Sequence, residues 1–205
     1  MLPNVRAAVL VPVKDFRQAK ARLSGTLAPF QRQELARTMA ALVFRAALPL
    51  PVFVVCDDDT VAAFAESHGA TAIMRRGFGL NGAVSSAVDA LAAADFDRVV
   101  VAHSDLPLAA DLAALAAWPG VTLVPDRRDD GTNVAVVPAR SGFTFSYGAA
   151  SFRRHGAETA RLGLPLRVVR QPTLLGWDVD VPDDLDHPSL KGLVPSLPTS
   201  PASRP

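Results

Sequence analysis

Ala7-Ala8-Val9-Leu10-Val11-Pro12-Val13, followed at once by Lys14-Asp15-Phe16-Arg17-Gln18-Ala19-Lys20-Ala21-Arg22-Leu23, is the stretch that decides the fold. Seven apolar residues without polar alternation read as a strand buried on both faces, the kind found in parallel sheets. The basic stretch then falls in the loop beyond the strand's carboxyl end, where open α/β sheets bind ligands. The chain has only three lysines among its 21 Lys and Arg residues, and two of them, Lys14 and Lys20, are here. A compact ammonium on a flexible stem binds phosphate as a point charge, a task that Arg does not take over freely. The competing account of this segment is a solvated basic face at the start of a helix.

Outward from that strand, short apolar runs alternate with helical patterns. Strands are expected at 7–13, 51–56, 70–74, 98–102, 120–124, 133–138, 166–170 and 174–179. Amphipathic helical stretches are expected at about 29–48, 60–68, 82–94, 111–118 and 151–162. In the first of these, Phe30, Leu35, Met39, Leu42 and Val43 recur at helical spacing. Ser151 is placed as the N-cap of the last helix and Gly163 as its stop. The alternation predicts an α/β domain with a mainly parallel central sheet and helices on both faces. Residues 133–138 and 143–146, separated by Ala139-Arg140-Ser141-Gly142, read instead as a local hairpin.

Composition limits the function. At 205 residues and 49% apolar content, the chain makes one domain with a sizeable core. A net charge of +1 and the lack of a polybasic stretch argue against nucleic acid as a partner. No segment approaches eighteen apolar residues and no leader pattern begins the chain, so a cytoplasmic protein away from membranes is expected. The single Cys56 ends a strand-like run and reads as a core thiol. The domain is expected to span 1–187, with the Pro- and Ser-rich 188–205 as a disordered tail.

The loops carry the chemistry. No G-x-G-x-x-G and no G-x-x-x-x-G-K-[ST] follows the first strand, so phosphates fall to side-chain cations and metal rather than to a glycine nest. Asp105 follows the run Val99–Ser104, where a carboxylate can ligate a hard cation or cap the next turn. Asp178 and Asp180 are two residues apart and share one face of an extended segment, so they repel unless a cation lies between them. Asp180 has a second account, as cap of a helix beginning near Pro182. Thr132, after Gly131 in a turn, offers a hydroxyl and an amide to an anion. Gly148 and Ser151 precede a helix whose N-terminus attracts phosphate or carboxylate. Gly79 and Asn81 lie in a flexible loop before another helix, with Asn81 able to pair with a base edge. No H-x-x-x-H and no G-x-S-x-G occurs, so zinc and Ser-His-Asp hydrolysis lack support.

The segments VPVKDFRQAKARL (11–23), GFGLNGAV (77–84), SDLPL (104–108), DRRDDGTN (126–133), SYGAASFRRH (146–155) and WDVDVPDDL (177–185) occur in that order. As a set they resemble the phosphoenolpyruvate or 2-phospho-L-lactate guanylyltransferases of deazaflavin coenzyme F-420 biosynthesis. The resemblance implies a single-domain nucleotidyltransferase fold of the Rossmann-like, GT-A-like kind. It also implies Mg²⁺ on Asp105, Asp178 and Asp180, with the acceptor's phosphate on the metal and its other end near Thr132, Gly148 and Ser151. Lys14, Lys20 and Arg22 would serve the triphosphate of GTP, and Gly79 and Asn81 the nucleotide. The second substrate would be a phosphorylated three-carbon acid. His103-Ser104 departs from the Pro-Ala pair expected before Asp105, and Ala149 from the usual Pro or Gly. Competing readings are a molybdopterin or sugar-phosphate nucleotidyltransferase, which would carry a glycine-rich loop after the first strand, and a non-catalytic nucleotide-binding module.

Overall fold

The computed structural model describes residues 5–170 and 174–193. Strand β1 (Ala7–Pro12) lies inside the sheet and pairs in parallel with β2 (Val52–Cys56) on one side and β4 (Arg98–Ala102) on the other. β3 (Thr71–Met74) extends the parallel array beyond β2. On the far side, β6 (Thr132–Pro138) runs antiparallel to both β4 and β5 (Val121–Pro125), and β7 (Leu166–Val168) is parallel to β5. The order is β3-β2-β1-β4-β6-β5-β7, with β6 alone reversed among the described strands. The chain crosses from one side of β1 to the other between β3 and β4. That switch leaves a crevice at the carboxyl ends of β1 and β4.

Period-two alternation along the strands builds two cores. Val9, Val11, Val54 and Val100 face α1 (Pro29–Ala46) and α2 (Asp59–Ser67), packing on Ala40, Val43 and Val61. Ala8, Leu10, Val99 and Val101 face α3 (Gly79–Ala93), packing on Val84, Val88 and Leu91. Phe152 of α4 (Ser151–Arg161) joins this second core. Each fully buried valine or leucine contributes about 1.5–3 kcal/mol, so the doubly buried strands dominate the stability. The expected mainly parallel sheet with helices on both faces is what forms. Among the described residues no helix is long and apolar enough to cross a membrane.

Several local expectations are corrected. Residues 143–146 are not the second arm of a hairpin, because β6 already has β4 and β5 as neighbours. The segment belongs to no strand; Phe143, Phe145 and Tyr147 are buried, and its amides bond to side chains. Thr144 N–H donates to Glu158 Oε1 at 2.9 Å, Ser146 N–H to His155 Nε2 at 2.9 Å and Tyr147 N–H to Asn81 Oδ1 at 2.7 Å. The stretch 111–118 is a 3-10 helix over Leu112–Ala117. Within 174–179, the described Leu174–Gly176 is also 3-10 rather than strand. Ser151 is the first residue of α4 and not its cap. Ala150 precedes it with φ 56°, and Asp130 accepts from the Ala150 amide at 3.0 Å. Gly163 does stop α4, with φ +64°. The domain does not end at 187: Pro188–Leu190 forms a 3-10 turn and Leu190 is buried against Leu23, Leu27 and Met39. Residues 194–205 of the expected tail lie outside the described residues.

The C-terminal segment is held by one buried carboxylate. Asp184, fully buried, accepts from the amides of Asp180 at 2.6 Å and Val181 at 2.9 Å through Oδ2. Its Oδ1 pairs with Arg127, whose guanidinium lies over the Trp177 ring at 4.2 Å, and Trp177 Nε1–H donates to the Asp184 carbonyl at 3.0 Å. Burial alone would raise the Asp184 pKa, but these amides and Arg127 hold it below the usual value. Asp184 thus does the capping that Asp180 was weighed for, and leaves the Asp180 side chain free for other work. Asp184→Asn should cost about 3 kcal/mol in denaturant unfolding, because it removes the buried charge on which Arg127 and two amides converge. It should also speed hydrogen exchange at the Asp180 and Val181 amides, and unchanged exchange there would show that the clamp carries no strain.

Candidate active site

The carboxyl ends of β1, β2 and β4 and the first turn of α3 enclose a cleft of about 570 Å³. Lys14, Lys20, Asp57, Arg75, Gly79, His103, Asp105 and Asp180 are among the residues that line it. Lys14 is exposed at the rim. Lys20 adopts a left-handed backbone, φ 55°, which turns the chain between two short 3-10 segments and sends its side chain inward. Its Nζ donates to Asp105 Oδ2 at 2.7 Å and to Asp180 Oδ1 at 3.0 Å. The side chain is only 9% exposed. Desolvation pulls the Lys20 pKa down, but the two carboxylates outweigh it and the net shift is upward. Arg22 stands further out, 3.9 Å from Asp180 Oδ2 and 75% exposed.

Asp105 and the 178–180 segment meet through the backbone: Val179 N–H donates to the Asp105 carbonyl at 3.2 Å, while the Val179 side chain is buried in the core. This puts Asp178 and Asp180 on the side of Asp105, as their spacing by two implied. Oδ1 of Asp105 and Oδ1 of Asp178 are both buried without a hydrogen-bond partner. Desolvation first, then the charges of Asp105 and Asp180, push the Asp178 pKa up to about 6. Asp105 is also penalised by burial, but Lys20 brings it below its ordinary value. The three aspartates therefore share one electrostatic site. They do not form a ready-made cage, for among the described residues no three of His, Cys, Asp and Glu stand together at metal-binding distance. Lys20 occupies the space between two of them.

The residues assigned to the acceptor, Thr132, Gly148 and Ser151, are not among those that line the cleft. Thr132 Oγ1 is 3.0 Å from His155 Nδ1 and 3.4 Å from Ser151 Oγ, and all three side chains are buried. His155 Nε2 accepts from the Ser146 amide, so in the neutral ring the proton is on Nδ1 and is donated to Thr132. Burial and then Arg154 lower the His155 pKa to about 4, which keeps that neutral form. With Oγ1 accepting from His155, the Thr132 proton is left to donate elsewhere. Gly148 has φ +112°, a conformation that favours glycine, and opens the loop ahead of α4. Asn81 does not face a base edge with its oxygen, which is taken by Tyr147 N–H. That bond ties the first turn of α3 to the acceptor-side loop. The sequence alone does not single out Asp184, Arg127 or Tyr147. Tyr147 is the only tyrosine in the chain, a signal that was available in the quoted 146–155 segment.

Known proteins resemble this chain in sequence and in fold. Residues 7–193 match the family described as guanylyl transferase CofC like. The phosphoenolpyruvate guanylyltransferase of Roseiflexus castenholzii is 39% identical over 181 residues, covering 86% of this chain and 84% of that protein. The 2-phospho-L-lactate guanylyltransferase of Methanothermobacter thermautotrophicus is 33% identical over 196 residues, covering 92% and 86%. Among solved structures, a nucleotidyl transferase from Methanothermobacter thermautotrophicus superposes with a TM-score of 0.61 at 13% identity, covering 88% of this chain and 94% of that one. At that identity the likeness speaks for the fold, which is that of the nucleotidyltransferases. Sequence match over nearly the whole described chain and a cleft with cations and carboxylates at the switch point meet in one conclusion: the chain belongs to the guanylyl transferase CofC-like family.

Proposed function

We propose that this enzyme moves GMP from GTP onto the phosphate of phosphoenolpyruvate and releases pyrophosphate, within coenzyme F-420 biosynthesis. The observation that carries the reading is Lys20 held between Asp105 and Asp180 in the switch-point cleft, with a buried, unpartnered carboxylate oxygen on Asp105 and another on Asp178 within reach of its charge. An acceptor phosphate is already an anion at neutral pH, so no general base is needed. Its oxygen attacks the α-phosphorus, and the bond to the β-phosphate breaks. What the protein must supply is charge neutralisation and in-line positioning. Lys14 at the rim meets the triphosphate, and Arg22 adds charge from the outside. Lys20 can turn from Asp105 and Asp180 toward phosphate oxygens once another cation takes its place.

The donor set suits Mg²⁺. This ion is commonly held by one or two carboxylates together with substrate phosphates, and needs no all-protein cage. Asp105 and Asp178 offer the unpartnered oxygens, and Asp180 becomes available when Lys20 leaves. When bound, the ion would neutralise charge on the two phosphate groups. The phosphoenolpyruvate choice follows the bacterial relative, and the archaeal one acts on 2-phospho-L-lactate by its name.

A pyrophosphate-release panel crossing four nucleoside triphosphates with phosphoenolpyruvate, 2-phospholactate and other phosphorylated three-carbon acids tests the reading. Turnover is expected with GTP and phosphoenolpyruvate. Equal or better use of 2-phospholactate reverses the acceptor choice, and turnover confined to CTP or UTP ends the guanylyl assignment.

Lys14→Ala should raise the KM for GTP about tenfold or more with little change for the acceptor. Lys20→Arg should stay impaired, because a planar fork cannot sit between the two carboxylates as the ammonium does. Wild-type kinetics in both variants would mark the segment as merely a solvated basic face.

Asp178 gives a pH signature. Its folded pKa of about 6 exceeds the ordinary value of 3.8, so the folded protein binds the extra proton between those pH values. Stability from this group is therefore present at low pH and is lost as pH rises through about 6. Asp178→Asn should raise the Mg²⁺-free melting temperature at pH 7 by a few degrees, on the order of 1–3 kcal/mol. It should also remove most turnover and flatten the stability profile between about pH 4 and 6. Full activity of this variant at low Mg²⁺ would refute the metal assignment.

A further inference from the structure

Asn81 spends its side-chain oxygen on the Tyr147 amide, and Gly79 has no side chain, so neither offers an acceptor to a nucleobase. A base-selecting acceptor must come from elsewhere in the cleft. Asp15, Asp57, Asp105 and Asp180 line it. Asp15 bonds to Arg17 at 2.9 Å, and Asp105 and Asp180 hold Lys20. Asp57, exposed just past the carboxyl end of β2, makes no side-chain hydrogen bond and no ion pair among the described residues. Its neighbours in the run Asp57-Asp58-Asp59 are both engaged. Asp58 caps α2 through the Thr60 and Val61 amides at 2.8 and 3.2 Å, and Asp59 pairs with Arg76 at 2.5 Å. Arg76 also donates to the Asp57 carbonyl at 3.3 Å, which holds the backbone and leaves the carboxylate uncommitted. A free carboxylate in a cleft for polyphosphate repels the ligand's phosphates, so it needs a bond that offsets the repulsion.

The sheet sets where that bond would form. The strands run in the order β3-β2-β1-β4, with Lys14 beyond β1 and Asp105 beyond β4. Asp57 is therefore two strand spacings, about 10 Å, from the end of β4. This separation suits a nucleoside laid across the strand ends, its α-phosphate at β4 and its base at β2. Guanine presents two donors side by side, N1–H and the 2-amino group, and the two oxygens of one carboxylate accept both in parallel. Adenine and cytosine each set a bare ring nitrogen beside the amino group. Uracil has one donor between two carbonyls. None of these three matches a carboxylate. Arg75 follows β3 as Asp57 follows β2, for Cys56 and Met74 are register partners. Its Nε and Nη1 are bonded to Ser86 and to the Met74 carbonyl, which leaves Nη2 to donate to the guanine O6 that adjoins N1.

We propose that Asp57 reads the guanine edge, one oxygen to N1–H and the other to the 2-amino group, and so makes this chain select GTP. This deepens the proposed function and rests on the nucleotide being a guanylyl donor. Asp57 takes no part in bond making.

The test uses Asp57→Asn, which keeps the size of the side chain and exchanges one acceptor for a donor. Turnover is measured with GTP, with inosine triphosphate, which lacks the 2-amino group, and with xanthosine triphosphate, in which a carbonyl oxygen replaces it. The KM for phosphoenolpyruvate is followed in parallel. Wild type should favour GTP over inosine triphosphate by about tenfold or more in kcat/KM. Asp57→Asn should lose about tenfold or more with GTP and use xanthosine triphosphate better than GTP, because the amide accepts from N1–H and donates to the new carbonyl. Its KM for phosphoenolpyruvate should stay within about twofold. Asp57→Ala should use GTP and inosine triphosphate nearly equally. If Asp57→Asn keeps the wild-type order of the three nucleotides, the inference is overturned and the guanylyl transfer stands. Equal loss with every nucleotide, together with a raised KM for phosphoenolpyruvate, also overturns it and gives Asp57 a part in the shape of the cleft. If wild type turns over CTP or UTP but not GTP, the proposed function falls and the inference with it.

Discussion

Carboxylates gathered in one cleft need a positive charge, and here Lys20 supplies it. The ammonium bonds to Asp105 at the end of β4 and to Asp180 in the C-terminal segment, joining parts of the chain 75 residues apart in sequence. Much of the local architecture serves this contact. The left-handed backbone at Lys20 aims the side chain, the Val179 amide fixes the second segment to β4, and buried Asp184 holds the Asp180 backbone. Remaining mismatch shows at Asp178, which is not paired with Lys20 and carries the raised pKa. The cluster is balanced at two corners and short of charge at the third.

The sheet was legible because its strands are long apolar runs whose alternate residues enter opposite cores, as Val9 and Leu10 do. That signal carries no partner information. Residues 143–147 have the same alternation, yet they form no strand and their amides go to Glu158, His155 and Asn81, since β6 is already flanked. Likewise Leu190 sits in a Pro- and Ser-rich stretch that composition marks as tail. Its burial depends on a pocket made by Leu23, Leu27 and Met39 from far upstream.

The site divides along the same line. Asp178 and Asp180 could be paired from their spacing, and Lys14 and Lys20 singled out by their scarcity, because both are local properties. Asp184 could not be told from its acidic neighbours Asp183 and Asp186 without knowing that Arg127 and two amides converge on it. In the sequence His103 stands out as a histidine near the candidate loops and as a departure from family pattern, and Tyr147 as part of a motif. Their common feature, an unmet hydrogen-bonding atom under cover, exists only in three dimensions.

The hydrogen bond from Tyr147 N–H to Asn81 Oδ1 has a mechanical consequence. Asn81 belongs to the first turn of α3, which borders the cleft through Gly79 and Leu80, whereas Tyr147 belongs to the loop before α4. A nucleotide that shifts that turn must break the bond or carry the loop with it. The cleft's border at α3 and the loop before α4 are thus geared together, and a shift of one is felt as stiffness in the other. Two ligands, one against the helix turn and one against the loop, can then assist each other's binding through a shared loss of freedom.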